Sequence, residues 1–307
     1  MDALLDIPGP LDLARTFSRF QTWGEDPVNR LAEGVFRRAV RVDGAWHAYE
    51  LRWEGGPDEA QVRVTVPGAR GPHVLAAAVA EARRLCGADL DLEGFYLAAK
   101  TDRVLGELVP HLRGLRPTLL PEPFDMLVSA ICAQQVNLAF AFSLRASLVR
   151  RYGTPLETDG GTPLFAFPEP AALARAQVRH LRAMKFSGRK AEYIVGLARQ
   201  VASGKLDLDG LATRTNDEII ETLTAVRGLG RWTAEWFIAR GLGRGDVCPA
   251  GDLAVRKAFE RFYNRGRPLS ERAIRRRAAR WGAHQNLAVH YLLAGLRLAR
   301  TSTGGGA

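Results

Sequence analysis

Three neighbouring features of the sequence combine residue types and spacings that suit chemistry. Gly228-Leu229-Gly230 joins two stretches of helical spacing, Trp232 and Trp236 follow it four residues apart, and Asp252 opens a further helical stretch after Pro249-Ala250-Gly251. The helix before the turn opens with a capping box, Thr215-x-x-Glu218, and runs to Arg227, where Gly228 suits the left-handed residue of a helix stop. The next helix starts near Gly230. Its first-turn N–H groups lack intrahelical acceptors, so a phosphate can approach them past residues without a Cβ. A Gly-x-Gly pair alone is more often a plain turn. The two indoles share one helix face and either pack in a core or line a slot. Asp252, taken alone, is a helix N-cap.

The elements that must position these residues are bounded by composition. The chain has 307 residues, 47% hydrophobic and 25% charged, which is longer than one domain of ordinary size, so two or three domains are expected. Lys plus Arg outnumber Asp plus Glu by 43 to 33. The resulting charge of +10 favours a polyanionic partner, without separating that reading from a merely soluble basic protein. Cys86, Cys132 and Cys248 lie far apart, with no C-x-x-C pair for zinc and too few thiolates for a four-Cys iron–sulfur cluster. Reduced, structural cysteines and a cytoplasmic protein are expected. No basic N-terminal region precedes an apolar run, and no stretch approaches the length of a membrane span, so secretion and membrane insertion are not expected.

Val35 to Val42, Trp46 to Trp53 and Val62 to Val66 read as strands of an antiparallel meander, with Asp43-Gly44 as a tight hairpin turn. Helical spacing begins at Val74 to Leu85 and continues in Asp102 to Leu112, with Asp102 at the N-cap position. Further helices are expected over 122–134, 137–152, 169–184, 188–203, 216–226, 231–241, 252–263, 270–281 and 284–300. Asn137 is a candidate cap, and loops are expected at 114–121, 153–168 and 203–211. The fold class is therefore α+β: an N-terminal domain over 1–112, a helical region over 113–303, and a disordered tail over 304–307.

The segment Leu223 to Trp236, with Val247-Cys248-Pro249-Ala250-Gly251-Asp252-Leu253-Ala254-Val255-Arg256 following after a helix, resembles the helix-hairpin-helix DNA glycosylase superfamily. That family joins the hairpin to a Gly/Pro-rich loop and a catalytic Asp. Within it the chain looks like the AlkA-type 3-methyladenine glycosylase II branch. Ala130-Ile131-Cys132-Ala133-Gln134-Gln135-Val136, Lys190-Ala191-Glu192-Tyr193-Ile194 and the strand-rich N-terminal region support the likeness over nearly the whole chain. The resemblance implies an N-terminal TBP-like sheet with helices, followed by an all-α glycosylase domain of two subdomains across a cleft.

It also implies roles. Asp252 would stabilise the positive charge that builds on the sugar as an N-glycosidic bond breaks, while capping its helix. Trp232 and Trp236 would form the base pocket, stacking on a cationic alkylated purine such as 3-methyladenine or 7-methylguanine. Gln135 aligns with the wedge that enters the gap left by the flipped base, or is an ordinary exposed Gln. Gly228, Gly230, Arg231 and Thr233 would meet phosphate. The main-chain carbonyls of Thr224, Val226 and Leu229 would hold a structural Na+ or K+, with no cofactor required. The partner would be duplex DNA carrying damaged bases, met by a monomer, nucleoid-associated in a bacterium. Bifunctional relatives place a Schiff-base lysine two residues after the second hairpin glycine; here Trp232 stands there, which implies a monofunctional enzyme. The alternatives are an oxidised-base glycosylase/AP lyase on the same fold and a noncatalytic helix-hairpin-helix DNA-binding protein. Arg272, Arg275, Arg276, Arg277 and Arg280 form a basic run that by default is a solvated face. The chain departs from the family pattern at Gly282-Ala283-His284-Gln285-Asn286, where a Pro and an Arg are usual, and at Leu293, where some relatives carry an aromatic.

Overall fold

In a computed structural model describing residues 1–69, 71–157 and 163–303, the chain opens on strand β1 (Asp2–Leu5) and two short helices, α1 (Leu13–Phe17) and α2 (Arg19–Thr22). Strands β2 (Arg30–Ala32), β3 (Val35–Val42), β4 (Ala45–Glu54) and β5 (Gln61–Thr65) follow, and the antiparallel sheet runs in the order β1-β5-β4-β3-β2. Asp43 and Gly44 turn β3 into β4 with φ of 50° and 80°, so both central residues take the left-handed conformation expected there. Pairing of Phe36 with Leu51 and of Leu51 with Val64 puts these side chains on one buried face. Helix α3 (Pro72–Leu85) covers that face with Val74, Ala78, Ala82 and Leu85, a stripe at helical spacing. The edge strands β1 and β2 carry too few residues to display an alternation and were not expected.

The rest is helical: α4 (Leu92–Ala99), α5 (Arg103–His111), α6 (Pro123–Ala133), α7 (Leu138–Tyr152), then α8 (Pro170–Ala174), α9 (Val178–Ala183) and α10 (Gly188–Ala202). After a 3-10 turn at Gly210–Thr213 come α11 (Asn216–Thr224) and α12 (Arg231–Trp236), which continues as a π-helical turn over Phe237–Gly241. Helices α13 (Leu253–Tyr263), α14 (Glu271–Ala278) and α15 (Gln285–Thr303) complete the chain. Asp102 and Asn137 cap α5 and α7 as expected, accepting from Leu105 and Phe140 N–H groups.

Three expectations need correction. The single helix over 169–184 is two, because extended backbone at Gln177 turns the chain so that Leu173, Ala176 and Leu181 all reach one core. The loop over 153–168 contains a hairpin, β6 (Thr154–Leu156) with β7 (Leu164–Ala166). Packing also does not follow a division at residue 112. Leu92, Phe95, Ala99 and Leu105 of α4 and α5 share a core with α13, α14 and α15, whereas α6 to α12 build a second core. The expected tail, 304–307, lies outside the described residues.

A buried ionic chain ties the sheet to the helices. Arg145 on α7 donates to Asp125 on α6 at 2.6 Å and to Asp26 in the segment before β2. Asp26 also accepts from the Asn29 side chain at 2.9 Å, and Asn29 in turn accepts from Arg38 on β3. Arg38, fully buried, reaches Glu81 on α3 at 2.8 Å and Glu122 before α6. Burial alone would raise the Asp26 pKa, but the Arg145 guanidinium and hydrogen bonds from Asn29 and Val28 outweigh it and hold the carboxyl below its ordinary range.

Arg145→Met leaves two carboxylates buried without their cation, and should cost about 3–5 kcal/mol, read from the urea unfolding midpoint. A carboxylate whose pKa falls on folding adds stability that is full above its unfolded value and is lost as pH drops through its lowered folded value. Acidification through that range should therefore destabilise the wild type more than Arg145→Met. An unchanged midpoint in the variant would overturn this account.

Candidate active site

The hairpin between α11 and α12 is held from three sides. The capping box forms, with Thr215 N–H donating to Glu218 at 2.7 Å and Glu218 N–H to Thr215 Oγ1 at 3.3 Å. Gly228 takes φ 98°, and a Cβ there would lie 2.2 Å from Tyr193 Cγ on α10, so glycine is required both by conformation and by space. Gln134, at the end of α6, donates to the Gly228 carbonyl at 2.8 Å, while Lys190 Nζ donates to Cys132 O at 2.8 Å. The two sequence blocks around Gln134 and Tyr193 are thus brought together around the turn. Gly230 differs from Gly228. Its φ of −108° suits any residue and a Cβ would meet no protein atom within 4 Å, so what its lack of a side chain leaves open is the outer surface of the turn.

The expected phosphate-facing residues separate. Arg231 is more than half exposed and bonds Glu235 at 2.9 Å. Thr233 is 1% exposed, which removes its side chain from any surface contact; helix spacing turns it inward with Ala234. The basic run also divides. Arg275 neutralises buried Glu235, Arg277 lies 3.7 Å over the Tyr263 ring, and Arg272, Arg276 and Arg280 are exposed. Gln135 is exposed, with φ 56°, at the corner between α6 and α7.

Asp252 caps α13, and its two oxygens divide the work. Oδ1 accepts from Ala254 N–H at 2.8 Å and Val255 N–H at 3.0 Å; Oδ2 accepts from Trp232 Nε1 at 2.8 Å and Trp236 Nε1 at 3.2 Å. The three residues therefore form one unit, in which two indole donors from α12 fix the carboxylate that opens α13. They line a cleft of about 330 Å³ that also receives side chains from α2, α7 and α15. Trp236 packs against both helical cores, which places this unit where the two meet.

Four functional candidates were not foreseen. Arg19, Arg240, His290 and Arg297 also line the cleft. Arg240, 7% exposed, donates to Asn286 Oδ1 and bonds His290 Nδ1 at 3.2 Å, and its guanidinium lies 5.1 Å over the Trp236 ring. One face of Trp236 is thus taken by a resident cation, which corrects the picture of two indoles free to stack on a cationic base. Burial, with the Arg240 and Arg297 charges, holds the His290 pKa well below its ordinary value, so the ring adds no charge at neutral pH. Buried Asn286, within the divergent stretch after Trp281, also donates to the Ala239 and Arg244 carbonyls at 2.8 and 3.0 Å, and so seats Arg240. A lone arginine inside the apolar run Phe237-Ile238-Ala239 was the one available signal. The three cysteines are buried in separate surroundings, and burial pushes each thiol up to about 12.

The family signature described as "HhH-GPD superfamily base excision DNA repair protein" matches residues 128–284. The chain is similar to a DNA-3-methyladenine glycosylase of Bacillus subtilis, 32% identical over 204 residues that cover 66% of this chain and 67% of that one. It is also similar to a probable bifunctional transcriptional activator/DNA repair enzyme AlkA of Mycobacterium tuberculosis, 28% identical over 94% of this chain and 55% of that one, so the match spans about half of that relative. Among solved structures, a 3-methyladenine DNA-glycosylase from Archaeoglobus fulgidus superposes with a TM-score of 0.85 at 28% identity, over 96% of this chain and 98% of that one.

Gly228→Ala should lower stability by about 1–3 kcal/mol through left-handed strain alone, with the clash against Tyr193 added. In a double-mutant cycle with Tyr193→Ala, urea unfolding should recover the steric part. Strictly additive losses would mean that the ring does not constrain residue 228.

Proposed function

The chain belongs to the HhH-GPD superfamily of base excision DNA repair proteins, and from that premise we propose that it is a monofunctional DNA glycosylase. It flips an alkylated purine, of the 3-methyladenine or 7-methylguanine type, out of duplex DNA and hydrolyses its N-glycosidic bond. The observation that carries this reading is the Asp252 carboxylate, held at the cleft by two main-chain and two indole donors. As the bond to the base lengthens, positive charge grows on the sugar, and a carboxylate already fixed in place opposes it without reorganising. Water then takes the vacated position on the sugar.

Trp232 stands where bifunctional relatives carry the Schiff-base lysine, and no lysine lines the cleft among the described residues. Lys190 is engaged by the Cys132 carbonyl. Hydrolysis to an abasic site, without strand nicking, follows. Gln135, exposed at its corner beside the cleft-lining Leu138, suits entry into the gap left by the flipped nucleotide. The hairpin N–H groups around Gly228 and Gly230, with Arg231, suit the phosphate backbone. The carbonyls of Thr224, Val226 and Leu229 are the oxygen donors for a hairpin-bound Na+ or K+. Val226 O already accepts the Leu229 N–H at 3.0 Å, and a carbonyl keeps a second lone pair for a hard cation. We propose a monomer acting on damaged duplex DNA in the cytoplasm or nucleoid. No helix among the described residues is long and apolar enough to cross a membrane.

Asparagine preserves the helix cap but removes the charge. Asp252→Asn should therefore slow single-turnover excision by about 100-fold or more while leaving affinity for lesion DNA within a few-fold. Equal rates would overturn the assignment, and a wild type that binds but excises nothing would favour the noncatalytic reading. Borohydride added during turnover should trap no protein–DNA adduct; an adduct lost in Asp252→Asn would point to lyase chemistry instead.

A further inference from the structure

The cleft is more cationic than a pocket for positively charged bases requires. Arg19 on α2, Arg240 in the π-helical turn and Arg297 on α15 all line it, and none of the three forms an ion pair with a carboxylate among the described residues. Asp26 and Asp125 act on Arg19, but both are already engaged by Arg145. Asp252 spends its hydrogen-bonding capacity on Trp232, Trp236 and its own helix. The polar partners of Arg19 and Arg240 are neutral: Thr118 Oγ1 at 3.0 Å, Asn286 Oδ1 and His290 Nδ1. Burial and the other two guanidiniums lower the Arg240 pKa, yet a guanidinium is basic enough to stay charged at neutral pH. The cations therefore repel one another across the cleft without local compensation. Such an arrangement is costly unless an electron-rich group completes it.

Breaking the glycosidic bond sends its electron pair into the departing base. A cationic alkylpurine leaves neutral and needs no help. A neutral purine leaves with a negative charge, spread over its ring nitrogens and any carbonyl oxygen, and takes its proton from water only afterwards. Fixed donors aimed at that charge lower the barrier only for the neutral class. Resting on the glycosylase reading above, we propose that Arg240 and Arg297, backed by Arg19, are specificity-determining groups that extend this pocket to neutral purine lesions with acceptor edges, deaminated purines being the simplest. The same charges oppose entry of a cationic base, whose stacking on Trp236 is already pre-empted on one face by Arg240.

Arg297 is the residue to vary, because part of its side chain is in solvent, whereas Arg240 is bonded into the core. Single-turnover excision would be measured on duplexes carrying hypoxanthine or 7-methylguanine, with melting temperature as the check on folding. The wild type should excise hypoxanthine, and Arg297→Met should lower the hypoxanthine-to-7-methylguanine rate ratio by about tenfold or more. Arg297→Lys, which keeps the charge, should restore most of that ratio. An unchanged ratio in a folded Arg297→Met protein, or equal loss on both substrates, overturns the proposal. Wild-type excision of 7-methylguanine without hypoxanthine overturns it too while leaving the glycosylase reading intact. Excision of neither base counts against the glycosylase reading itself.

Discussion

A single guanidinium, that of Arg145, decides how the cleft is assembled. It lies between Asp26 and Asp125, all three nearly or fully buried, and a charge in such surroundings is tolerated only when paired and hydrogen-bonded. Asp26 lies just beyond the segment that carries Arg19, and Asp125 belongs to the helix whose far end reaches the hairpin. Seating Arg145 thus sets one wall of the cleft against another. Arg38 repeats the device one step further out, linking β3 to α3 and to the start of α6. Pairs of this kind add little net stability over apolar packing, but breaking one is expensive, so they act as registration points between layers.

The carboxylate at the cleft shows how one local rule serves two purposes. Helix α13 needs an acceptor for its first N–H groups, and satisfying them fixes the χ1 and χ2 of Asp252. The remaining oxygen then points where the indoles of α12 can reach it. The spacing of four between Trp232 and Trp236 puts both donors on one helix face, so a periodicity usually associated with core packing here delivers two N–H groups to one atom.

Legibility in the sequence followed the range of the physics involved. The hairpin turn at Asp43-Gly44, the caps at Asp102, Asn137 and Asp252, and the box at Thr215 and Glu218 depend on residues a few positions apart, and all were readable. Glycine at 228 was readable as a helix stop, but the Tyr193 ring that also excludes a side chain there was not. The break between α8 and α9 is set by where Leu173 and Leu181 must be buried, not by any local breaker. The arginine floor was invisible for a similar reason, since Arg19, Arg240 and Arg297 come from three distant elements and only packing brings them together. Thr233 was misread because a polar residue beside a phosphate-facing turn need not share its surface.

The π-helical turn over Phe237–Gly241 carries a geometric consequence of its own. Its wider i→i+5 ring takes in roughly one residue more than an α turn, and one residue is worth about 100° of rotation around the axis. Everything beyond the turn is therefore out of phase with α12. In an unbroken α-helix Arg240 would follow Trp232 and Trp236 at the same spacing of four along one ridge; the widened turn alters that alignment, and the guanidinium ends over the Trp236 ring with Asn286 as its acceptor. The length of this segment, counted to the single residue, thus belongs to the wiring of the cleft as much as any side chain in it does. A relative one residue shorter here would carry the same local sequence with a differently charged pocket floor.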